Sequence, residues 1–188
     1  MERLSLNTRR EFGNLLIVSA AYIASYTLVG GFIAPLQTIL LPEFTTSISL
    51  LFLPHGVRLL AVHYFGWKAI PLLIPSSYLM WYITVFGGGI AIGPFQPLAS
   101  LVACYVGYKL MSLIIPGPPA RLGRQEWKLL VAAGILSSLL NGVFNSLLQR
   151  SAQLSLDIVG YMIGDIFGQI GLMLVLVYIL KFVRLFKV

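Results

Sequence analysis

Residues 158–180 read IVGYMIGDIFGQIGLMLVLVYIL. Asp165 is the one charged side chain in the run. The stretch is long enough to cross a bilayer, for which a helix needs about 20 residues. Within it, Gly160, Gly164 and Gly168 recur at every fourth position and form a smooth ridge. Ridges of this kind let helices approach closely in lipid. Asp165 and Gln169 stand beside the ridge at i and i+4, on one face of the same helix. The stretch therefore reads as a membrane helix with one packed face and one buried carboxylate.

Outward from this helix, apolar runs of similar length recur at 14–36, 44–65, 69–86, 95–115 and 127–148. Gly30-Gly31 and Pro35 predict a bend near the end of the first. Pro54-His55-Gly56 interrupts the second, Gly66-Trp67-Lys68 forms a tight turn, and Pro116-Gly117-Pro118-Pro119 stops the fourth. The composition agrees: 58% of residues are hydrophobic and only 10% charged, where a soluble domain carries roughly 25%. Mean hydropathy is +0.89. Such a chain cannot cover itself with polar surface. The expected fold is an all-α, polytopic bundle of about six transmembrane helices, since each span takes about 20 residues. A single transmembrane domain over 1–188 leaves no room for a soluble catalytic domain. The basic start followed by an apolar run imitates a signal peptide, but no convincing cleavage site follows, so the first helix is expected to be retained.

Charge fixes an expected orientation. With the N-terminus inside, the cytoplasmic segments hold eleven of the thirteen basic residues: Arg3, Arg9, Arg10, Lys68, Lys109, Arg121, Arg124, Lys128, Lys181, Arg184 and Lys187. Only Arg150 falls outside, and Arg58 falls within a span. Cytoplasmic loops carry such an excess. The expected location is a bacterial inner membrane, with both termini cytoplasmic. The same placement explains the formal charge of +7 without a nucleic-acid partner. Cys104 is the lone cysteine, so no internal disulfide forms. No Cys/His spacing indicates a metal, and no cofactor is expected. No nucleophile with a supporting base, phosphate loop or carboxylate pair is visible, so the chain reads as non-enzymatic.

The polar residues inside apolar runs are the candidates for function. Pro54 removes a backbone donor and Gly56 adds freedom, so helix two is expected to be broken at 54–56. The following half-helix would then present its positive end inside the protein, with Arg58 on its first turn. A guanidinium at such depth costs at least about 2.5–3.5 kcal/mol on insertion scales. A helix N-terminus, His55 and Arg58 together suit a small anionic ligand. Snorkelling of Arg58 toward lipid phosphates or pairing with a carboxylate competes with that reading. Asp165 and Gln169 on helix six, and Asn141 and Asn145 with Ser138 on one face of helix five, either bond helices together or line a polar cavity. Gln96 and the pair Trp81-Tyr82 are placed to join it.

Several of these stretches also resemble one family. Leu-Pro-His-Gly-Val-Arg-Leu-Leu at 53–60, followed by Phe65-Gly66-Trp67-Lys68, is similar to the Pro-x-Gly-Ile/Val motif and Gly–basic turn of the MASE1 integral membrane sensory domains. Gly164-Asp165-Ile166-Phe167-Gly168 resembles that family's Gly-Asp-x-x-Gly, and Gln96-Pro97-Leu98-Ala99 stands where members often have Asn and a small residue. The resemblance implies a sensor in signal transduction. The departures are about six helices instead of about eight and no output domain, so a stand-alone relative acting through a membrane or cytoplasmic protein partner, or as a homo-oligomer, is expected. Two other functions fit the same residues: a substrate-binding or transport component, and an accessory or assembly subunit of a larger membrane complex. The orientation has a direct test. A green fluorescent protein fused after Val188 should fluoresce, and alkaline phosphatase fused there should be inactive; the opposite pair refutes a cytoplasmic end.

Overall fold

A computed structural model describes residues 2–41, 49–88, 92–115, 124–149 and 154–185. All regular structure among them is helical. Helix α1 (Glu2–Leu28) continues through a π-helical turn, Val29–Ile33, into α2 (Ala34–Leu40). Pro35 in the first turn of α2 has no N–H to give back to the preceding turn, and the helix widens here by one residue instead of stopping. The bend expected from Gly30-Gly31 and Pro35 takes this form.

Helix α3 (Leu53–Phe65) ends at Gly66, whose φ of 58° is open chiefly to glycine. A short 3₁₀ turn, Gly66–Lys68, leads into α4 (Ala69–Tyr82), which closes on a second π-helical turn, Ile83–Gly87. Helices α5 (Gln96–Ile114), α6 (Arg124–Gln149) and α7 (Leu154–Leu185) complete the order.

Paired contacts give the directions. Tyr22 and Tyr26 of α1 meet Arg58 and Phe52, so α1 and α3 run oppositely. Glu11 and Tyr26 meet Lys68 and Thr84, so α1 and α4 run together. Leu53–Gly87 is therefore a hairpin folded at Gly66. Helix α6 packs antiparallel to both α5 and α7: Asn145 meets Ser100, Gly107 lies against Ser137, and Asn141 meets Asp165.

By length and hydropathy, five helical stretches qualify as membrane spans: Arg9–Leu40, Leu53–Gly87, Gln96–Ile114, Glu126–Leu148 and Ile158–Val183. The hairpin counts as one of them. Its first arm, α3, has 13 residues, or about 20 Å of helix, less than the ~30 Å hydrocarbon core. The expected span 44–65 is thus helical only from Leu53; residues 42–48 lie outside the described residues. The protein is also inverted in polarity. Leu113 and Ile39 are 80% and 75% exposed, while His55 and Asp165 are 0% and 1%. Apolar side chains facing out and polar ones facing in suit a lipid surround.

Two sequence expectations are corrected here. Pro54-His55-Gly56 is not a break within a helix: Pro54 sits in the first turn of α3, a position where its missing N–H costs nothing. The glycine ridge does not serve helix–helix approach at Gly164 and Gly168. A Cβ at Gly164 would meet the Ser49 carbonyl, and one at Gly168 the backbone of Phe52. The ridge seats the non-helical segment 49–52, whose amides bond α7, α2 and Ser49 itself. Phe52 N–H donates to the Gly164 carbonyl at 2.8 Å, and Leu50 N–H to the Gln37 Oε1 at 2.8 Å. Gly160 is half-buried on the same helix. Backbone is harder to displace than a side-chain tip. Gly168→Ala should therefore lower thermal stability in detergent by about 1–3 kcal/mol, read by tryptophan fluorescence. Gly13→Ala, which meets open space, should not; equal midpoints for the two variants would refute the seating.

Candidate functional site

Toward the end of the bundle away from Gly66, the helices leave a cavity of about 530 Å³. Ligand pockets span roughly 300–1,000 Å³. Aromatic rings of Tyr22, Tyr26, Phe52, Trp81 and Tyr161 form much of its wall. Arg58, Gln96, Asn141, Asn145, Asp165 and Ser77 supply its polar groups. Trp81 Nε1 donates to the Ile92 carbonyl at 3.0 Å and ties α4 to the segment before α5.

Arg58 stands on the second turn of α3, so the start of that helix at Leu53 sets its depth. The side chain is 5% exposed. Its Nη2 donates to the Tyr22 hydroxyl at 2.7 Å, and the guanidinium carbon lies 5.4 Å and 5.5 Å from the ring centres of Tyr22 and Phe52. Cation–π contacts of this kind are worth about 0.5–2 kcal/mol. No carboxylate oxygen of the described residues lies within 4.0 Å of its nitrogens, and Nε has no hydrogen-bond partner among those residues. Arg58 and Asp165 line one cavity without direct contact.

Asp165 instead belongs to a polar ladder. Asn145 Nδ2 donates to the Asn141 Oδ1 at 2.7 Å and to the Ser100 hydroxyl at 3.2 Å. Asn141 Nδ2 donates to Asp165 Oδ2 at 2.6 Å, and that oxygen lies 3.3 Å from His55 Nδ1. On the other side of the imidazole, Ser137 and Ser138 lie 3.2 Å and 3.3 Å from Nε2. Both hydroxyls give their proton to the Gly134 carbonyl. Cys104 Sγ lies 3.7 Å from His55 Nδ1. The imidazole is thus enclosed by Asp165, Cys104 and the two serines, which fix its place.

Of the residues singled out from sequence, Arg58, Asp165, Asn141 and Asn145 converge on the cavity, as do Gln96 and Trp81. His55 does not line it and braces Asp165 from behind. Gln169 does not line it either. Its Nε2 donates to the Leu130 carbonyl at 2.9 Å, and its amide occupies the space over Gly134. Tyr82 points outward, 57% exposed. The first-turn residues 53–56 are absent from the lining, so Arg58 rather than the helix end supplies the positive charge. Sequence reasoning missed Tyr22, Tyr26, Ser77 and Ser100. Their signals were present: a tyrosine pair at i, i+4 in an apolar helix, the Ser76-Ser77 pair, and Ser100 four residues after Gln96. Glu126 is buried at the other end of the bundle. His63 is buried there too, with Nδ1 2.9 Å from the Tyr108 hydroxyl.

In comparisons with known proteins, no family model, no curated protein and no solved structure matches this chain. The arrangement separates scaffold from cavity. Gln169→Leu removes the bond to the Leu130 carbonyl and the amide packed over Gly134, and should cost about 1–3 kcal/mol of thermal stability. It should leave any molecule bound in the cavity in place, which mass spectrometry of the variant checks.

Proposed function

We propose that the protein is a non-enzymatic, multi-pass module of a bacterial inner membrane that binds a small molecule in the Arg58–Asp165 cavity and acts through a protein partner as a sensor. The observation that carries this reading is Arg58: a buried guanidinium on the wall of a ligand-sized cavity, with no carboxylate beside it among the described residues. A purely structural arginine in lipid gains most from a close counter-ion, because a charge there is costly to leave unpaired. The proposed topology has six crossings, the hairpin Leu53–Gly87 supplying two of them. Both ends of the chain then lie in the cytoplasm, in keeping with the distribution of basic residues.

The resemblance to MASE1 sensory domains agrees with this reading. Its two main stretches lie against each other in the structure: a Cβ at Gly168 would meet the backbone nitrogen of Leu53. They form one packed unit beside the cavity.

Native mass spectrometry of the protein released from nanodiscs tests the proposal. Wild type should carry a small molecule that Arg58→Leu loses and Arg58→Lys retains in part. A small molecule bound equally by all three, or by none, removes the site. A second protein retained by all three, with no small molecule, would identify an accessory subunit. Saturable uptake that depends on this chain would identify a transport component.

A further inference from the structure

Three buried polar atoms without a partner among the described residues belong to side chains that line the cavity. They are Arg58 Nε, Gln96 Nε2 and the Ser77 hydroxyl. Each residue is at most 5% exposed. They come from α3, α5 and α4, so no single helix explains them. The other unpartnered buried polar atoms, on His63 and Ser146, belong to residues outside the lining. Leaving a buried donor unmade is costly, and the surplus on this wall is of donors. The complementary molecule is rich in acceptors.

The charge narrows it further. Arg58 is the one cationic side chain of the described lining, and Asp165, its one acidic residue, is bonded by Asn141 and braced by His55. A dianion would leave one negative charge unmatched by the single guanidinium and close to the Asp165 carboxyl. The walls are aromatic, and two rings flank the guanidinium itself. Resting on the ligand-binding reading above, we infer that the cavity takes a singly charged aromatic carboxylate. Its carboxylate bonds Arg58 and its ring lies among Tyr26, Trp81 and Tyr161. A further acceptor on the ligand meets Gln96.

The test uses the full chain in nanodiscs and three probes that share one ring: 4-hydroxyphenylacetate, its neutral amide, and 4-hydroxybenzyl phosphate. Titration calorimetry should find the carboxylate bound about tenfold or more tighter than the amide, as for a polar site offered the wrong group. The phosphate should bind more weakly than the carboxylate. Arg58→Leu should abolish the preference for the carboxylate. Gln96→Leu covers the case in which Arg58→Leu does not fold. It removes a stranded donor, so the ligand-free protein should melt at the same or a higher temperature while binding the carboxylate several-fold more weakly. Equal affinity for carboxylate and amide, a tighter phosphate, or unchanged binding in Gln96→Leu overturns the ligand class. If no probe binds but wild type carries a molecule lost in Arg58→Leu, the class fails and the binding reading stands. If native mass spectrometry also finds none, both fail.

Discussion

A stretch of non-helical backbone packed against a membrane helix is the constraint on which the rest depends. In lipid, amide groups outside a helix must be satisfied by the protein itself. Residues 49–52 meet this by lying on the glycine steps of α7, with Phe52 N–H on the Gly164 carbonyl and Leu50 N–H on Gln37. No side chain could stand at Gly164 or Gly168 without meeting that backbone. Fixing the segment fixes where α3 begins, and so places Arg58 on its second turn beside the cavity. It also turns the Phe52 ring over the guanidinium. The glycines of one helix thereby position a cation on another.

The electrostatics follow from that placement. Burying a guanidinium without a nearby carboxylate is a costly local arrangement. A hydroxyl bond and two aromatic faces offset part of it. The carboxylate that could have neutralised it is held elsewhere: Asp165 is bonded by Asn141 and braced by His55, and His55 is itself fixed by Ser137 and Ser138. Removing any rung would release Asp165 to turn. The ladder holds the Asp165 carboxyl apart from the Arg58 guanidinium while both line one cavity.

The sequence made the helices legible because lipid imposes a simple rule of length and apolarity. It also marked Arg58, Asp165, Asn141 and Asn145, since polar groups in apolar runs are rare. What it hid are contacts between distant parts of the chain. Gly164 and Gly168 have the spacing of a helix-packing ridge, and nothing local says that their partner is extended backbone. Gln169 stands one turn from Asp165 on the same face, yet it reaches Leu130 while Asp165 lines the cavity; a shift of one turn along α7 passes from the cavity into the α6 contact. His55 looked like a ligand residue because it neighbours Arg58. Its 0% exposure follows from α6 serines more than eighty residues away.

One helix joins the two halves of the structure. α7 borders the cavity through Tyr161 and Asp165, and it seats residues 49–52 through Gly164 and Gly168, within about two helical turns. A molecule bonded to Arg58 acts on α3, and α3 is held to α7 by the same backbone seat and by the close contact of Gly56 with Leu172. Binding and the α3–α7 contact are therefore not independent. For a ligand to shift that contact, it must bind one arrangement of the two helices more tightly than another. The three unpartnered donors provide a source for that difference. They weigh on the ligand-free arrangement and are relieved only when an acceptor reaches all three helices at once. In the proposed ligand-binding reading, the donors that would select the ligand are also those that would make its occupation felt in the packing of α7.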